Sequence, residues 1–86
     1  MKFIIISFKS RNSLLKFVKI ARQQGVFIDI INTPLIISKS CGLSGKTIFQ
    51  NLNIIKMLVH QLEISDFMGI FYLEHNGFQE RLQRLY

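Results

Sequence analysis

Apolar and polar positions along the chain fall into segments of alternating and of helical period. Lys2 to Phe8 carries apolar residues on both alternating sets, Phe3 and Ile5 on one and Ile4, Ile6 and Phe8 on the other. That pattern belongs to a central strand buried on two faces. Between Arg11 and Gln24 the residues Leu14, Leu15, Phe17, Val18 and Ala21 form one stripe while Lys16, Lys19, Arg22 and Gln23 stay wet. This predicts a helix capped by Ser10 and ended by Gly25. Val26 to Ile31, β-branched and aromatic with Asp29 set against Ile28 and Ile30, predicts a second strand. Gly42 to Phe49 predicts a short third strand, in which two glycines allow a backbone or ligand to come close. Asn51 to Gln61 predicts a second helix from Leu52, Ile55, Val59 and Leu62, widened by Ile54 and Leu58, and Phe67 to Leu73 a fourth strand. After it, Phe78, Leu82 and Leu85 share a helical spacing behind an Asn76-Gly77 turn, which suits a short helix.

The order β-α-β-β-α-β predicts an α+β domain of ferredoxin-like type: a four-stranded antiparallel sheet with two helices on one face. Residues 1–74 would form that domain and 75–86 a C-terminal segment. Because the first and last strands are apolar on both sets, the sheet face opposite the helices would be greasy in a monomer. Cover by a second copy or by the C-terminal segment is expected.

Composition sharpens this in two respects. With 86 residues, 49 % of them hydrophobic, and eight phenylalanines, the chain supports one modest core with apolar surface left for a partner. Its formal charge of +6 would attract anions or an acidic partner, yet the lysines are scattered rather than gathered in a stripe. Nucleic-acid binding on the sheet is disfavoured, since Phe67 to Leu73 interleaves no basic residue among its aromatics. The single cysteine excludes an internal disulfide, and a free thiol fits a reducing compartment, by default the cytoplasm. The apolar start stops at Ile6, short of a secretory h-region, and no later run approaches the roughly 18 apolar residues of a membrane span.

The candidate chemistry lies between Asn32 and Thr47, which holds the only proline and the only cysteine. Pro34 fixes the exit from the second strand and pushes Thr33 toward an extended conformation, and a long ordered connection on a small scaffold is where function concentrates. Gly45-Lys46-Thr47 imitates the end of a phosphate-binding G-x-x-x-x-G-K-S/T loop, but Ser40 stands where the first glycine is needed. Cys41, His60 and His75 have no ligand-like spacing, so no metal site or cofactor is expected. Cys41 remains, either as a small buried hydrophobe or as a thiol. Ser40 and Gly42 leave space around the sulfur, Lys39 and Lys46 bring positive charge, and the N–H groups of Gly42, Leu43 and Ser44 could converge on a thiolate. Each favours ionisation, moving the pKa from about 8.5 toward neutrality.

Thr33-Pro34 followed by Ser38-Lys39-Ser40-Cys41-Gly42-Leu43 resembles the T-P-x-x-x-S-x-S-C-G-L string of the selenium/sulfur carrier protein-like family, over roughly Lys2 to Tyr72. Leu35 stands where that family commonly has an arginine, and only Lys46 matches a basic residue after the second strand pair. The resemblance implies a thiol carrier rather than a turnover enzyme. Cys41 would take sulfur or selenium from a protein donor such as a cysteine desulfurase, hold it as a persulfide or selenosulfide, and hand it to a protein acceptor. Having no second cysteine as an internal resolving thiol suits such a carrier. A dimeric interaction or regulatory module with a structural cysteine is the alternative.

Overall fold

The computed structural model describes residues 2–34, 42–76 and 79–85. Its elements are β1 (Lys2–Phe8), α1 (Arg11–Gln23), β2 (Asp29–Asn32), β3 (Leu43–Ile48), a 3-10 turn (Phe49–Asn51), α2 (Leu52–Leu62), β4 (Phe67–Asn76) and β5 (Gln79–Arg84). The strands form one antiparallel sheet in the order β2-β3-β1-β4-β5. Its first four members have the ferredoxin-like arrangement. β1 is central, as its two apolar sets require: it pairs with β3 from Phe3 opposite Ile48 to Ser7 opposite Ser44, and with β4 from Lys2 opposite Glu74. No helix among the described residues is long and apolar enough to cross a membrane.

The core lies between one sheet face and the helices. Ile4, Ile6 and Phe8 of β1 meet Leu14, Phe17, Val18 and Ala21 of α1, and Ile55, Leu58 and Val59 of α2. Leu15, which shares the apolar spacing of α1, falls outside this contact and is 41 % exposed, because the stripe is one residue narrower than its hydrophobicity suggests. Gly45 of β3 permits the close packing: a Cβ there would lie 2.8 Å from Ile28 Cγ2 and 3.6 Å from Leu14 Cδ1. What comes close to this glycine is the protein's own core.

Local signals set the helix ends. Ser10 Oγ accepts from the Ser13 N–H at 3.1 Å at the start of α1. At its end Gly25 turns left-handed (φ 81), its N–H donates to the Arg22 carbonyl, and the Val26 N–H reaches the Ala21 carbonyl. This is the double bond pattern of a Schellman cap, with Val26 buried as its hydrophobic partner.

The C-terminal segment departs from the expected helix. Gln79–Arg84 is a strand, paired along β4 from Asn76 opposite Gln79 to Phe71 opposite Arg84. Helical spacing of three side chains gave way to the stronger demand of the β4 edge, whose unpaired backbone groups are satisfied by a fifth strand. β4 is correspondingly longer than the apolar run that announces it, reaching Asn76.

Candidate functional site

β2 and β3 are joined by residues 33–42, and the base of this connection is tied twice. The Thr33 N–H donates to the Gly42 carbonyl at 2.8 Å, one step beyond the Asn32–Leu43 pair. The Thr33 and Ser44 hydroxyls meet at 2.7 Å, and Ser44 is fully buried. Gly42 sits against this clamp, with a Cβ position 3.6 Å from Thr33 Oγ1. Both contacts of Thr33 fall at the loop base, beside Pro34, and the Ser44 hydroxyl is taken up by the second of them.

Lys39, Ser40 and Cys41 lie outside the described residues, as do Leu35 and Ser38. In the sequence Cys41 immediately precedes Gly42, the first described residue after the loop. Leu43 and Ser44 begin β3. Successive N–H groups of a strand point to opposite edges, so those of Leu43 and Ser44 face different neighbours. Lys46 is also set apart. It pairs with Ile5 and Asp29 in the sheet, about 13 Å along the strand from Gly42 by strand rise. Its Nζ lies 4.2 Å from the centre of the Phe3 ring, a cation–π contact on the face away from the helices. Thr47 is structural too: its hydroxyl donates to the Phe27 carbonyl and accepts from Asn51 Nδ2, both at 2.8 Å.

Among the described residues, two further cations lie near the loop base. Ser7 opposite Ser44 and Ser44 opposite Ile31 put the C-terminal ends of β1 and β2 and the start of β3 at one end of the sheet. The β1–α1 turn emerges there. A cleft of ≈ 460 Å³ opens between these segments, lined by Phe8, Lys9, Arg11, Asn32, Gly42 and Leu43. Sequence reasoning missed Lys9 and Arg11, which read as the polar boundary between a strand and a helix; no local signal distinguishes them from solvated charges.

Asp66 holds that turn in place. Its carbonyl accepts from the Lys9 N–H at 2.9 Å and its Oδ2 from the Ser10 N–H at 3.0 Å. The carboxyl is held below its ordinary range chiefly by the Ser13 hydroxyl and further by Ser10, against a smaller opposing effect of burial. Oδ1 is buried without a partner at hydrogen-bond geometry, so Ser13 acts as a nearby dipole and the formed bond is that of Ser10.

Fold and site together define a ferredoxin-like domain with a clamped β2–β3 loop beside a basic cleft. The family model described as "Putative Se/S carrier protein-like" matches residues 3–67, and the chain belongs to this family. No curated protein and no solved structure matches it.

Proposed function

We propose that the chain is a sulfur or selenium carrier whose working atom is the sulfur of Cys41. The observation that carries this reading is the family match, which spans both helices, the first three strands and the whole Thr33-Pro34…Ser40-Cys41-Gly42 string. In the transfer step, the Cys41 thiolate attacks the terminal sulfur of a donor's persulfide. A new S–S bond forms, the donor's S–S bond breaks, and the donor thiolate leaves with the electron pair, so no oxidant is consumed. The protein donor is of the cysteine desulfurase type, and a nucleophile of the acceptor reverses the step. A free thiol of this kind belongs in a reducing compartment such as the cytoplasm.

Support from the site is electrostatic. Thiolate and persulfide are anionic near neutral pH, and Lys39 in the loop, with Lys9 and Arg11 in the adjoining cleft, supplies the opposite charge. The test is alkylation of folded protein by an uncharged reagent across pH, read by mass spectrometry, followed by incubation with a desulfurase and cysteine. The expected result is a midpoint below about 8 and a mass gain of one sulfur that Cys41→Ser abolishes. Modification only after unfolding would refute the carrier.

One observation favours the second reading, a dimeric interaction module. Phe27 is 69 % and Ile48 49 % exposed, and both line a hollow of ≈ 140 Å³ with Phe3 beside the edge strand β2. An inert Cys41 together with a doubled mass in light scattering would establish that reading.

A further inference from the structure

The cleft beside the loop base has a chemistry of its own. Its floor is apolar, made by buried Phe8 and half-buried Leu43, and its rim is polar, made by exposed Lys9, Arg11, Asn32 and the backbone of Gly42. Lys9 precedes the cap of α1 and Arg11 is its first helical residue. Helix starts normally attract carboxylates, because unpaired N–H groups leave about half a positive charge there. In α1 the first turn contains no acid, and cations flank the cap on both sides. Like charges held together at a concave surface raise the local potential, and that arrangement costs stability unless an anion offsets it.

The carboxylate nearest this turn is bound to the backbone between the two cations. Asp66 turns Oδ2 to the Ser10 N–H and lines a different hollow with Ser13 and Lys16. Among the described residues neither Lys9 nor Arg11 takes part in an ion pair. Asp66 thus fixes the backbone from which the two cations project, and its hydrogen bonds there go to N–H groups rather than to the Lys9 or Arg11 side chain.

We propose that this cleft binds a small tetrahedral oxyanion of the phosphate, sulfate or thiosulfate class. The Arg11 fork suits two oxygens of such an ion, Lys9 adds a mobile point charge, and the Asn32 amide supplies neutral donors. The cavity and its two cations from one rigid turn carry the inference; the helix start only adds to the field. A single cleft of this size suits a small ion rather than a polymer, whose backbone would need a row of cations. Binding requires no thiol, so the inference goes beyond the carrier reading.

The experiment is a titration of ¹⁵N-labelled protein with sodium phosphate and, separately, sodium thiosulfate, with ionic strength held constant by chloride. The expected result is saturable shifts confined to the amides of Lys9, Ser10, Arg11, Asn32, Gly42 and Leu43. Lys9→Gln/Arg11→Gln should weaken binding by at least about tenfold, the scale of one lost charge-assisted bond. Lys16→Gln/Lys19→Gln, the same charge change elsewhere on α1, should leave binding unchanged, as should Cys41→Ser. Shifts that never saturate, or equal weakening by the two double variants, overturn the proposal. An inert Cys41 with oxyanion binding intact would sink the carrier alone, and a reactive Cys41 without binding would sink only this inference.

Discussion

The Thr33–Ser44 clamp lends itself to a double-mutant cycle, because its two hydroxyls differ in exposure. Ser44 is fully buried and Thr33 half-buried, and they meet at 2.7 Å. Thr33→Val keeps shape and volume but leaves the Ser44 hydroxyl without this partner away from water, which costs about 1–3 kcal/mol. Ser44→Ala leaves a hydroxyl that can still reach solvent, so its cost is nearer about 1 kcal/mol. Removing both strands neither group. The double variant is therefore expected to be less destabilised than the sum of the singles by about 1 kcal/mol. For a domain of this size that coupling corresponds to a discrepancy of roughly 4–8 °C in thermal midpoint. Urea unfolding followed by circular dichroism measures the four stabilities. Hydrogen exchange at the Thr33 amide, which donates to Gly42, reports whether the loop base opens before the sheet does. Additivity within about 0.5 kcal/mol would refute the clamp as an energetic unit.

Two further perturbations test the frame around the site. Gly45→Ala puts a methyl 2.8 Å from Ile28 Cγ2, on a β-branched side chain with little freedom to turn away. Overpacking of about 1–3 kcal/mol should outweigh the gain of about 0.4–1 kcal/mol from a stiffer unfolded chain. Adding Ile28→Leu, which moves the branch off Cβ, should recover part of the loss in urea unfolding; a Gly45→Ala protein as stable as the parent contradicts the packing role. Asp66, with its carboxyl held below the ordinary value, contributes stability that is present above the unfolded pKa of about 3.9 and lost as pH falls through the folded value. Acid unfolding should therefore be shallower below about pH 4 in Asp66→Asn than in the parent, and identical acid limbs would rule out that contribution.

The sheet architecture was legible because it rests on local patterns. Two apolar sets made β1 central, the serine at position 10 and the glycine at 25 marked the ends of α1, and the β-α-β-β-α-β order restricts an antiparallel sheet to few pairings. Side-chain spacing misled at Gln79–Arg84, since the partner that makes this segment a strand is the edge of β4, which the segment's own residues do not encode. The candidate site divides along the same line. By itself the sequence determined the family string and the single thiol, because both are properties of consecutive residues. Which charges lie beside the loop base was decided by the tertiary structure alone. Strand register carries Lys46 away from Gly42 onto Phe3, and it brings Lys9 and Arg11, remote along the chain, to the cleft at the loop base. Coulombic influence falls with distance through space, and distance through space is fixed by which strand ends coincide.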